Sequence, residues 1–220
     1  MSDRPDEEAD GRSDRRSGGP RPARDGEPGT LATRAVYDGR IVRLAVDSVR
    51  FPDGSSGEME MIRHPGASAV LPVMGGLDQA DPEILLLRQY RYATGGYLYE
   101  VPAGLPDGPD EPWEDCARRE LEEETGWKAG TLTPLTRIYT TPGFTDEVIH
   151  LYLAAGLVEG RGDLDDDEFV EVVRVRLSQA LEWVRTGRIR DGKSVCTLLY
   201  AARFVLGESG RGGEESSPAR

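Results

Sequence analysis

Cysteine and histidine are nearly absent from this 220-residue chain, which has only Cys116, Cys196, His64 and His150. No CxxC pair and no paired histidine spacing occurs, which excludes a thiolate zinc site and a disulfide framework and fits a reducing cytoplasm. His64 precedes Pro65 in a turn and His150 alternates within an apolar strand, so both read as structural. The cysteines read as small core residues. Net positive charge is missing too. The formal charge is −13 and the pI about 4.7, with no basic stripe, so nucleic acid is not an expected partner. No apolar run approaches the ~20 residues that cross a bilayer, so a soluble protein without a membrane partner is expected. The length allows one domain with a good core plus a small appendage.

The first 30 residues mix both charge signs with Gly and Pro and lack an apolar signal core, and residues 207–220 have the same texture. Both are expected to be disordered tails. From Leu31 to Met61, short alternating runs such as "RIVRLAVDSVRF" are broken by "YDGR" and "PDGSSGE", which predicts a small antiparallel sheet. Residues 62–206 form the main domain. There "ASAVLPVM" and "EILLLRQYR" are continuous apolar runs of the kind found in strands covered on both faces. A strand at "YLYEV" precedes a helix in "DEPWEDCARRELEEETG", where Pro112 suits the first turn and Gly126 the stop. Strands at "LTPLTRIYTT", "VIHLYLAAGLV" and "FVEVVRVRL" and two closing helices complete an α/β layered sandwich.

The helix raises a difficulty of its own. At 100° per residue, Glu120, Glu123 and Glu124 fall within about a third of its circumference, while Glu122 points away. Like charges at these spacings repel. Converging carboxylates of this kind form an oxygen-rich site for hard divalent cations, Mg²⁺ above all, and cation binding removes the repulsion. Arg119 lies one turn before Glu123 and can orient it. The preceding "EVPAGLPDGPDE" offers a strand and a tight glycine turn, so a backbone oxygen such as that of Ala103 can reach the same cations.

Gly104, Glu111, Arg119, Glu120, Leu121, Glu123, Glu124, Gly126 and Trp127 together resemble the Nudix hydrolase box, with one extra residue between Gly104 and Glu111 and Trp127 in place of an aliphatic. The resemblance implies a Nudix-type α/β/α sandwich with a mixed sheet, preceded by the small antiparallel sheet. It also implies Mg²⁺ or Mn²⁺ as cofactor, with Glu120 and Glu124 as main ligands, Glu123 sharing a cation or its water, and Ala103 giving its carbonyl.

"RQYRYATGGYLYEVPAGL" and "YTTPGFTDEVIHLYLA" look like the ADP-ribose pyrophosphatase branch, in which a proline lies sixteen residues after the box glycine, as Pro142 lies after Gly126. That likeness implies hydrolysis of ADP-ribose to AMP and ribose 5-phosphate. The alternatives are the same reaction on another nucleoside diphosphate sugar such as GDP-mannose, or a non-catalytic ADP-ribose sensor. The branch takes its catalytic base from an acidic loop after the box. In "GDLDDDEFVEV" this points to Glu168, with Asp167 and Asp166 as fallbacks. By resemblance Arg91 clamps a phosphate, whereas Arg88 reads as the polar end of a strand and Tyr37 and Phe51 as packing aromatics. The branch also implies a homodimer that shares its N-terminal sheet.

Overall fold

The computed structural model describes residues 20–162 and 170–206. Its first sheet has strands β1 (Gly29–Asp38), β2 (Arg43–Arg50) and β3 (Ser56–Arg63), antiparallel in the order β1, β2, β3. Sheet structure therefore starts two residues before the expected boundary. Residues 20–28 fold back on it, with the Ala23 N–H donating to the Thr30 carbonyl at 2.8 Å and the Thr30 N–H to the Arg21 carbonyl at 2.9 Å. Composition marked this stretch as tail because it has little apolar surface. Backbone pairing to β1 holds it instead.

The main sheet has seven strands, five of them in the order β12 (Val170–Arg176), β5 (Glu83–Arg91), β4 (Ala67–Met74), β10 (Val148–Ala155) and β9 (Thr131–Tyr139). Strand β6 (Gly96–Glu100) pairs with β5, and the two-residue β7 (Ala103–Gly104) pairs with β4; a separate short ribbon joins β8 (Trp127–Lys128) to β11 (Val158–Glu159). Strands β4 and β10 run parallel, while the pairings on either side of them are antiparallel, so the sheet is mixed.

Side-chain alternation along β4 and β10 divides the core into two layers. Val70, Tyr152 and Ala154 pack with Trp113, Ala117 and Leu121 of helix α1 (Trp113–Thr125). On the opposite face, Ala69, Leu71, Leu151 and Leu153 pack with Ala180 of α2 (Leu177–Arg185) and with Leu198 and Ala201 of α3 (Gly192–Phe204). This is the expected α/β/α sandwich, with the small antiparallel sheet beside it.

Helix α1 begins one residue later than the sequence suggests. Pro112 is its N-cap, with extended backbone, and the Pro112 carbonyl accepts the Cys116 N–H at 3.0 Å. Gly126 ends the helix in the left-handed conformation at φ 73°, donating its N–H to the Glu122 carbonyl at 2.8 Å, as a glycine at this position allows.

The two sheets are joined through β3. The Ile62 N–H donates to the Phe144 carbonyl at 2.7 Å, and Arg63 bridges the buried Asp47 of β2 and Asp146 of the loop between β9 and β10.

Candidate active site

A cleft of about 1270 Å³ opens between α1, β7, the end of β5, the first turn of α3 and the loop after β9. Ala103, Arg119, Glu120, Glu123 and Glu124 form one wall, and Arg91, Asp191 and Lys193 line the same cavity. The helix register brings the glutamates here because Trp113, Cys116, Ala117 and Leu121 must face β4, which turns the carboxylates toward β7. They sit in the C-terminal half of α1, where the helix dipole adds to their mutual repulsion.

Two devices hold them in place. Glu124 is 4% exposed and its Oε2 accepts the Ala103 N–H at 2.9 Å. Arg119 donates through Nη1 to Glu120 and Glu123, both at 2.8 Å, through Nε to Glu111 at 3.1 Å, and through Nη2 to the Leu105 carbonyl at 2.8 Å. Partial burial works against the Arg119 charge, but Glu111, Glu120 and Glu123 more than offset it and hold the guanidinium above its ordinary range. Glu111 also accepts the Asp107 N–H at 2.8 Å, so this one glutamate closes the glycine loop onto α1.

Gly104 lets the Glu120 carboxylate approach the chain closely, since a Cβ there would overlap it. The glycine leaves a cradle for a carboxylate and whatever it binds. All the donors on this wall are oxygens, which suits a hard divalent cation. Among the described residues, no three acidic, His or Cys side chains are gathered closely enough to cage an ion as they stand. Arg119 holds Glu120 and Glu123, and Ala103 holds Glu124. Side-chain rotation of Glu120 and Glu123 off Arg119 would release their charge to a cation, so the wall fits one in chemistry.

Arg91 reaches the cleft, but its Nε and Nη2 each donate to Glu100 at 2.9 Å. Pro142 is exposed in the loop between β9 and β10, whose Tyr139, Thr140 and Thr141 line the cleft; Pro142 itself does not line it. Glu168, with its fallbacks Asp166 and Asp167, lies outside the described residues. Arg88 faces Glu171 across the β5–β12 pair, with a 3.3 Å ion pair, and its guanidinium lies 3.9 Å from the Tyr97 ring centre. His150 stacks on Trp113 with ring centres 4.4 Å apart.

The expectation for the cysteines holds for one and fails for the other. Cys116 is buried on the β4 face of α1, and burial pushes its thiol up to about 11, so it is unreactive. Cys196 is exposed and lines the cleft, because on α3 it follows Lys193 by one turn and shares its cleft-facing side. The sequence reading also passed over Lys193. Its signal was the "DGK" at the start of α3, where Asp191 accepts the Ser194 N–H at 3.0 Å and so delivers the next residues to the cleft.

The NUDIX domain profile matches residues 63–198. The chain is 39% identical over 176 residues to the ADP-ribose pyrophosphatase of Bacillus subtilis (strain 168), covering 79% of this chain and 92% of that protein. Identity and coverage are the same for the methanol dehydrogenase activator of Bacillus methanolicus. The GDP-mannose pyrophosphatase of Escherichia coli O1:K1 is 42% identical over 126 residues, covering 53% of this chain and 65% of that protein. A crystal structure of an ADP compounds hydrolase superposes with a TM-score of 0.69 at 24% identity, over 84% of this chain and 96% of that one, a likeness of fold.

Proposed function

This chain belongs to the Nudix family and is a Nudix hydrolase, and from that premise we propose that it cleaves the pyrophosphate bond of ADP-ribose to give AMP and ribose 5-phosphate. The observation that carries the reading is the cleft that sets Glu120, Glu123 and Glu124 on one wall with Arg91 lining the same cavity. A diphosphate ester needs cationic partners for its oxygens and a site where its leaving phosphate is stabilised. The choice of substrate is supported by 39% identity along nearly the whole of an ADP-ribose pyrophosphatase. GDP-mannose is the second reading, supported by 42% identity to a GDP-mannose pyrophosphatase over a shorter span.

In this reading Glu120 and Glu124 would hold a divalent cation, Mg²⁺ or Mn²⁺, with Glu123 and the Ala103 carbonyl as further oxygen donors. When bound, such a cation neutralises the diphosphate and acidifies a water. Glu168 takes a proton from the attacking water, whose oxygen adds to one phosphorus as the bridging P–O bond breaks. Arg119 keeps Glu120 and Glu123 on the cleft side of α1. Arg91 orients a phosphate, and Pro142 shapes the loop behind Thr140 and Thr141.

We assign the protein to the cytoplasm as a homodimer. Support for the dimer comes from β1, a ten-residue edge strand whose outer residues Val36 and Tyr37 are exposed, together with Ile41 beyond it. Among the described residues, no helix is long and apolar enough to cross a membrane.

Chromatography of products from ADP-ribose, GDP-mannose, ADP-glucose and NADH, with and without Mg²⁺, tests the substrate. AMP formed fastest from ADP-ribose, and only with the cation, supports the proposal. Faster release from GDP-mannose transfers the assignment to the second reading.

Gly104→Ala separates the cation cradle from the fold. The new methyl meets only the flexible end of Glu120, so the cost in stability is small, while the displaced carboxylate leaves the cleft. A loss of about 10- to 100-fold in kcat/KM, recovered in part at high Mg²⁺, is expected with Tm within about 3 °C of the parent. Unchanged kinetics would remove Glu120 from the cation site.

A further inference from the structure

Glu100, the last residue of β6, is 2% exposed and does not line the cleft, yet it carries a full negative charge under the floor of the site. Both its oxygens are used. Oε1 accepts Arg91 Nε at 2.9 Å, and Oε2 accepts Arg91 Nη2 at 2.9 Å together with Lys193 Nζ. Burial works against the charge on this carboxyl, but Arg91 and Lys193 outweigh it and hold Glu100 below the usual carboxylate range. Two cations from distant parts of the sequence thus share one buried anion.

We infer that Lys193 is a positioning residue: by sharing Glu100 with Arg91, it leaves on Arg91 the positive charge that meets the phosphate of the substrate. The inference rests on the reading of Arg91 as a phosphate contact. An arginine locked by two parallel bonds onto a carboxylate of its own is a neutral pair and a poor anion ligand. Lys193 changes that balance, because it brings a second positive charge to Glu100, in a cluster where the carboxylates of Glu124 and Asp191 also act on Arg91. The side chain of Lys193 is 12% exposed and that of Arg91 41%, so Arg91 is the one of the two that reaches solvent. Asp191 stands 3.1 Å from Lys193, and its negative charge also caps α3, accepting the Ser194 N–H at 3.0 Å, where the helix dipole offsets part of it. Neither Arg91 nor Lys193 alone would both satisfy Glu100 and serve the cleft.

Three variants test this with ADP-ribose at saturating Mg²⁺, each checked by circular dichroism and thermal unfolding. Lys193→Met is expected to raise KM about tenfold, with kcat changed less than about threefold, because Arg91 is then bound to Glu100 alone. The double variant Glu100→Gln with Lys193→Met is expected to recover at least half of that loss, since Arg91 no longer faces a carboxylate. Arg91→Met tests the underlying contact and is expected to raise KM by more than Lys193→Met does. An unchanged KM in Arg91→Met removes the phosphate contact itself. If Arg91→Met behaves as expected and the double variant is no better than Lys193→Met, Lys193 acts directly or only structurally and the inference is wrong.

Discussion

Glu124→Gln is expected to lower kcat/KM on ADP-ribose by more than about 100-fold while leaving the protein folded. Residues that merely orient a metal ligand cost about 10- to 100-fold when replaced, and a ligand itself should exceed that. Glutamine has the same shape as glutamate and its side-chain oxygen can still accept the Ala103 N–H, so the contact between α1 and β7 survives. What disappears is one negative charge at a buried position. The loss should be shared between catalysis and cation affinity, so a Mg²⁺ titration of the variant should saturate at higher concentration. Adding EDTA to the parent should abolish turnover to the same floor, and excess Mg²⁺ should restore it. A variant within tenfold of the parent would show that Glu124 holds β7 in place and nothing more.

Arg119→Met should have the second largest effect, about 10- to 100-fold in kcat/KM, joined by a loss of stability of about 2 kcal/mol. That stability figure is set below the cost of breaking a fully buried pair because the Arg119 side chain is 22% exposed. One guanidinium holds Glu111, Glu120, Glu123 and the Leu105 carbonyl, so removing it releases the glycine loop from α1 and takes a shared counter-charge from the carboxylates. Lysine should not restore function, because a single ammonium cannot span acceptors on both sides of a planar fork. Thermal unfolding and steady-state kinetics on both variants decide the matter. Full activity in Arg119→Lys would mean that charge alone is needed and the fork geometry is irrelevant.

The parts of the fold legible in the sequence were those with a local signature. The runs at β4 and β5 are continuous because both faces of these strands are covered, and the register of α1 follows from the spacing of Trp113, Ala117 and Leu121. The glutamate wall was legible for the same reason, since a helix fixes which residues share a side. Glu100 and Lys193 were not, because their meeting depends on where β6 ends and α3 begins across an intervening stretch of more than ninety residues, which no period in the sequence encodes. Arg91 was read by resemblance as a phosphate clamp, but its bonds to Glu100 could not be foreseen, since neither residue has a pattern that marks the other. Cys196 was misread because an apolar helix near a terminus looks like core, and only the packing of Leu198 and Ala201 against the sheet shows which side faces out.

The sheet also separates the two walls of the cleft. Helix α1 packs on the Val70 and Tyr152 face, and α3 packs on the Leu71 and Leu151 face. Substitutions at Lys193 and Cys196 therefore leave the packing of α1 against Val70 and Tyr152 in place, whereas Ser194, whose Oγ accepts the Val101 N–H at 2.8 Å, is tied to the segment that leads to Ala103. For a lineage or an engineer searching for a new nucleotide sugar, this makes the fold evolvable in one direction: exposed positions of α3 and the loop after β9 can vary in search of a substrate, while the helix that carries the glutamates stays fixed.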